Sequence, residues 1–345
     1  PVGTARSFSR HFHHTHIFQG SCPMFRFLES LVDPYCEYPR EDRPPTKLWP
    51  FMKGLSRPFW PVFALTAVLS VVVASIEIWL ISYVGRLVDM LAESDRQTFW
   101  GEHGSELVLI GAFLLFVRPL VQLANVGLLN NTILPNFGTM IRWRAHRHVL
   151  RQSVGWFESD FAGRIANRIM QTPPAAGEAV FEVFDAMTYS TAYVIGAVIL
   201  LSNTDPRLAV PLVAWLLLYA LLVNWTVRRI GPASKVASDA RSAVTGRVVD
   251  AYTNIHSVKM FAHMDAELDY AREAIEHSRK TFQVEMRIFT RMDVGLTLLN
   301  GFLIVAVVGW SVWLWSANLA TIGVVAIASS LVLRLNAMTG WIMWA

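Results

Sequence analysis

FWPVFALTAVLSVVVASIEIWLISYV, residues 59 to 84, holds a single charge, Glu77, in 26 consecutive residues. As a helix it is about 39 Å long, more than the roughly 30 Å of hydrocarbon in a bilayer. A helix is the form that satisfies every backbone N–H and C=O within one segment in lipid, so the stretch reads as a membrane span. Five more low-charge stretches of similar length follow, at roughly 107 to 133, 181 to 202, 208 to 227, 294 to 315 and 320 to 345. The third is the most polar. Its Glu182 and Asp185 are expected in a cytoplasmic extension below an apolar part at 186 to 202.

The composition agrees. With 53% hydrophobic and 16% charged residues, 13 Trp, 20 Phe and a mean hydropathy of +0.38, the 345 residues do not read as soluble domains. Cys22 and Cys36 supply neither a disulfide framework nor a metal cluster, and no metal site is expected. The net charge of +4 is a topology signal. Six Arg lie between spans two and three and 11 Lys or Arg between spans four and five, whereas the opposite loops hold Arg86, Arg96 and Arg207. The rule that cations stay inside predicts both termini in the cytoplasm. On the arms these cations alternate with nearly as many acids, which argues against a nucleic-acid partner.

The two basic connections run about 45 and 65 residues, far beyond the usual helix-pair loop, so they must be structured. Val244, Val248, Ala251, Ile255, Val258 and Ala262 recur at helical spacing, which predicts two helical arms reaching nearly 40 Å from the membrane. Before span one, residues 47 to 59 read as a short interfacial helix limited to about two turns by Pro50 and Pro58. Residues 1 to 46 read as a disordered or linker segment, with 1 to 23 expected to be a disordered or non-native extension that includes His11, His13, His14 and His16, and Met24 a candidate start. The membrane domain is placed at 47 to 345. A start at Pro1 and a stop inside an apolar run read as a fragment.

Two patterns sit inside the connections. Trp156-Phe157-Glu158-Ser159-Asp160-Phe161-Ala162-Gly163-Arg164-Ile165-Ala166-Asn167-Arg168 resembles the first intracellular loop of ABC exporters, and Gly246 to Phe261 is similar to the second. Thr321-Ile322-Gly323 resembles the Thr-x-Gly that opens their sixth span. The resemblance implies an all-α membrane protein with six transmembrane helices and long cytoplasmic extensions, paired with a second copy or a homologous half-transporter. It implies a first coupling site of Trp156, Phe157, Glu158, Asp160, Gly163 and Arg168 and a second of Asp250, Asn254, Ile255, Val258, Lys259 and Phe261, both docking on a nucleotide-binding domain. Asp250 stands where Glu is usual and Asn254 where Gly is usual, while Pro173-Pro174 is expected to break the helix leading into span three. No G-x-x-x-x-G-K-[ST] loop occurs. ATP and Mg are therefore expected to bind a domain outside this chain, lost by truncation or carried on a separate polypeptide. No catalytic residue is assigned here.

Charges inside spans mark pathways or clamps. Glu77 and Arg118 are expected to pair or to share a polar pocket, and Arg334 and Asn336 of span six are further candidates for the substrate pathway. Asn224, Asn300 and Asn336 are equally suited to lining that pathway or to satisfying one another across helices. Trp310, Trp313 and Trp315 read as an aromatic belt. The expected function is the membrane half of an ATP-driven exporter of a small or amphipathic substrate in a bacterial inner membrane. Two alternatives stay open: an ion- or proton-coupled carrier using Glu77, Arg118, Asp185 and Arg334, and a membrane scaffold or receptor whose arms bind a cytosolic partner.

Overall fold

Thirteen α-helices, α1 to α13, carry the described residues of the computed structural model, which are 23–36, 48–158, 162–260 and 264–344. The four N-terminal histidines lie outside them. Among the described residues there is no strand, and six helices are long and apolar enough to cross a membrane. The fold is an all-α, multi-pass membrane domain.

The chain divides into two units, one of residues 1–73 and 111–188, the other of 74–110 and 189–345. In the first unit, α2 (Leu48–Ser56) passes through a tight turn at Arg57–Phe59 into α3 (Trp60–Glu93). Its core is aromatic: Phe63 stacks on Phe184 at 4.7 Å between ring centres and meets Phe137 edge-on at 5.7 Å. Span two is built from α4 (Phe99–Ala112), α5 (Arg118–Gly127) and α6 (Leu134–Val149), joined by wide π turns at Phe113–Val117 and Leu128–Ile133. The cause is legible: Pro119 and Pro135 lack the N–H that would reach back four residues, and their rings crowd those carbonyls, at 115 and 131, inside the two π turns.

Two expectations are corrected here. Pro173 and Pro174 do not break the helix, because both lie inside α8 (Ala162–Phe181). Pro173 is buried against α6 beside Gly138, so packing holds the helix where hydrogen bonds are lost. Residues 23–36 are not merely linker. They include α1 (Pro23–Glu29), whose terminal carbonyls at Leu28 and Glu29 accept hydrogen bonds from Thr132 (2.7 Å) and Asn136 (2.9 Å) of span two. A helix end is satisfied by such donors, and Thr132 is fully buried in providing one.

The second unit packs α9 (Thr188–Thr204), α10 (Pro206–Thr253), α12 (Met264–Ser316) and α13 (Ile322–Trp344) around Tyr193, Leu212, Trp215, Leu303 and Leu331. The turn between α9 and α10 is one residue, Asp205, whose carboxylate caps α10 by accepting from Arg207 N–H at 2.8 Å. The expected arms exist as single helices continuous with their spans: α10 has 48 residues and α12 has 53, about 72 and 80 Å long. Buried Ala237, Ala240 and Ala274 let the two approach closely, and Arg247 lies over the Tyr270 ring at 3.9 Å. On the same arm, the Arg279 guanidinium beside Glu276 holds that carboxyl below its usual range.

Candidate functional site

In the second unit α3 leaves the membrane as α13 enters it, and two contacts tie them. At the one nearer the ends of these helices, Asp89 accepts from the Thr321 hydroxyl (2.8 Å) and the Gly323 N–H (2.7 Å). Its carboxylate thereby caps the N-terminus of α13 from a neighbouring helix, where the helix dipole favours an anion. A Cβ on Gly323 would overlap the Gly85 carbonyl and the Asp89 carboxylate, so this backbone approach requires glycine. Thr-x-Gly therefore has a local mechanical reason. Asp89, the residue that gives it one, carries no signal in the sequence beyond being an acid shortly after the first apolar stretch, and it lies in the last turns of α3.

Counting inward from that clasp, Glu77 lies 12 residues along α3 and Arg334 11 along α13, about 18 and 16.5 Å. They meet. Arg334 Nη2 reaches Glu77 Oε2 at 2.8 Å and Oε1 at 3.0 Å, with Nε at 3.1 Å from Oε2, a forked ion pair. Tyr189, at the start of α9, donates its hydroxyl to Glu77 Oε2 at 2.7 Å. One carboxylate thus joins three spans. The Glu77 side chain is 15% exposed and that of Arg334 46%, so the cation side of the pair is open. Such an arrangement keeps a charge pair inside lipid without an unmatched ion and leaves a guanidinium accessible to an anionic or polar group.

Asn336, two residues on, serves a different contact. Buried Asn300 of α12 donates to Asn336 Oδ1 and to Thr339 Oγ1, each at 2.8 Å, which is the cross-helix alternative for these residues. Arg118 opens α5 in the first unit.

A polar centre that the spacing did not predict lies in the first unit. Asp185 falls in a π turn at Glu182–Met187, where its Oδ1 accepts from Ser70 Oγ of α3 (2.5 Å) and from Asn125 Nδ2 of α5 (3.3 Å). Ser70 is fully buried and Asn125 is 8% exposed. Ser70 is the twelfth residue of span one, so Asp185 is level with the middle of that span and not below it, as its acidic neighbours suggested. The π turn inserts an extra residue and turns Asp185 toward the other helices.

Short helices stand between the arm helices. α7 (Val154–Glu158) lies between α6 and α8, and its Trp156 and Phe157 rings meet edge-on at 5.2 Å while remaining 37% and 38% exposed. α11 (Ile255–Met260) lies between α10 and α12, with Ile255 38% and Met260 79% exposed, Val258 half-buried and Lys259 exposed. Asn254 ends α10 by donating its side-chain amide to the Asp250 carbonyl at 3.1 Å, at a φ of −100° that needs no glycine. That is how Asn serves where Gly is usual. Asp160 and Phe261 lie outside the described residues, as do the side chains of Glu158, Gly163 and Arg168.

A family model, the ABC transporter transmembrane region, matches residues 63–337, most of the chain. This chain belongs to the ABC transporter family. A transporter membrane domain accounts for the six apolar helices together with arms that run far beyond them. Among curated relatives, an uncharacterized ABC transporter ATP-binding protein of Haemophilus influenzae is 30% identical over 328 residues, covering 93% of this chain and 52% of the relative. The multidrug resistance protein fer6 of Mycosarcoma maydis is 19% identical over 213 residues, covering 60% of this chain and 16% of the relative. The chain therefore spans about half the length of the first relative and less of the second.

Proposed function

We propose that this ABC transporter membrane domain is the pathway half of an ATP-driven exporter. It pairs with a second copy or a homologous half-transporter and alternates its access as a nucleotide-binding domain closes on ATP and Mg. The observation that carries this reading is the pair of short helices, α7 and α11, that present apolar side chains between stiff arm helices. A closing ATPase domain shifts membrane helices only through a rigid element docked on it, and exposed aromatic and aliphatic anchors suit that contact. ATP chemistry is assigned to the partner domain and to no residue here. The relative named an ATP-binding protein, of which this chain matches about half, supports a partner domain of that kind.

In this reading the arms and both termini face the cytoplasm, on the strength of the basic connections, and the membrane is a bacterial inner membrane. Glu77 and Arg334 face the substrate route, with Arg118 and Asn336 as further candidates. The open Arg334 guanidinium favours a small or amphipathic substrate with an anionic or polar group. The test is ATP hydrolysis by the complete polypeptide in proteoliposomes, with and without candidate amphipathic compounds. Stimulated hydrolysis and ATP-dependent uptake are expected. Movement driven by a proton or sodium gradient without ATP would instead establish the carrier alternative.

A further inference from the structure

A basic groove lies where the arms join their spans, and it belongs to neither the ion pair nor the tip helices. It runs between α10 and α12, encloses about 670 Å³, and is lined by Arg229, Arg287 and Arg291 over an apolar wall that includes Val236, Val284 and Ile288. No carboxylate lines it. None of the three arginines is within ion-pair distance of a described carboxylate, and the adjacent acid, Glu285, is engaged by Arg241 at 3.8 Å. Three guanidiniums with no counter-charge repel one another, so the groove gains by taking up an anion.

Its level in the membrane selects which anion. The apolar part of α10 ends near Val227 and that of α12 begins near Val294, which puts Arg229 and Arg291 about 3 and 4.5 Å past the hydrocarbon edge. Those two lie within the headgroup layer, about 5 to 8 Å deep on each side, and Arg287, one turn further along α12 at about 10.5 Å, stands just beyond it. Arg229 is steadied there over the Trp225 ring at 4.9 Å, and Trp is a residue of that layer. Guanidiniums grip phosphate oxygens in pairs.

We propose that this groove binds the headgroup phosphate of an anionic phospholipid from the arm-side leaflet, with Arg229, Arg287 and Arg291 as its ligands. The site holds whether or not transport is driven by ATP. It makes the α10–α12 junction, which each arm movement must load, sensitive to the lipid around it.

The test is native mass spectrometry of the complete polypeptide released from nanodiscs of phosphatidylglycerol and phosphatidylcholine in equal amounts. The wild type is expected to retain phosphatidylglycerol in about tenfold preference, and R229Q/R287Q/R291Q to lose that preference. R272Q/R279Q/K280Q, which removes the same charge elsewhere on the α12 arm, is expected to keep it. Should the first variant fail to fold, V236E at a half-exposed position places a carboxylate on the groove and is expected to abolish the preference by itself. The proposal is overturned if the groove variants keep the preference or if the control loses it equally. Displacement of the lipid by inorganic phosphate would overturn it as well, by making the site one for a small anion. So would a cross-link between copies through V236C, by making the groove a subunit interface.

Discussion

Glu77 and Asp185 are both carboxylates inside apolar helices, one in each unit, and their surroundings differ in kind. Glu77 is matched by a full cation, Arg334, and further held by the Tyr189 hydroxyl. Asp185 is held by neutral donors, the Ser70 hydroxyl and the Asn125 amide. A charged partner makes the first site sensitive to the loss of either member, since an ion loses its counter-charge. Neutral donors make the second a matter of hydrogen-bond geometry, in which an amide oxygen serves nearly as well as a carboxylate. The paired site joins three helices through charge; the neutral one joins three through hydrogen bonds alone.

The sharpest way to break this contrast is Arg334→Ala. It takes the cation from Glu77, leaving the Tyr189 hydroxyl in place, and is expected to cost about 2 kcal/mol in thermal unfolding in detergent, less than a fully buried pair because Arg334 is 46% exposed. Adding Glu77→Gln should recover most of that loss. A double variant as unstable as the single would show that the pair is uncoupled.

At the other site, Asp185→Leu takes the acceptor from Asn125 and leaves the Ser70 hydroxyl only the Thr66 carbonyl, at an expected cost of about 1 to 2 kcal/mol, whereas Asp185→Asn keeps an acceptor oxygen and should cost well under 1 kcal/mol by the same assay. If Asn were as damaging as Leu, Asp185 would need its charge and the contrast would collapse. Tyr189→Phe removes one hydroxyl from Glu77 while leaving the ion pair, with an expected loss of about 1 kcal/mol.

The smallest effect is expected at a pair in water. Glu276 and Arg279 are joined at 2.7 Å on the surface of the α12 arm, yet Glu276→Gln should leave unfolding unchanged within error at neutral pH. Because Arg279 lowers the Glu276 pKa, its contribution is present above the ordinary carboxylate range and is lost only as pH falls through and below that range.

The spans, the short turns and the arms were legible because each is a local property: hydropathy over about 20 residues, charge between spans, and helical spacing in Val244, Val248 and Ala251. The partners of Glu77 were not. Glu77 and Arg334 each stand out as a charge in an apolar run, but they are 257 residues apart and their register depends on how α3 and α13 pack at Gly85 and Gly323. Asp185 was misplaced because it follows Glu178 and Glu182 and so reads as the polar end of a span, and because a π turn breaks the 3.6-residue period that locates side chains. Pro173 and Pro174 misled for the opposite reason: a local rule that packing against α6 overrides.

The central claim is that α7 and α11 carry force between nucleotide chemistry and the spans. It is tested most directly by the ratio of substrate moved to ATP hydrolysed by the complete polypeptide in proteoliposomes, for wild type and for Trp156→Ala with Phe157→Ala. The account predicts hydrolysis that persists while the ratio falls about tenfold or more. An unchanged ratio would mean that the exposed Trp156–Phe157 pair is not a coupling element, and would contradict it.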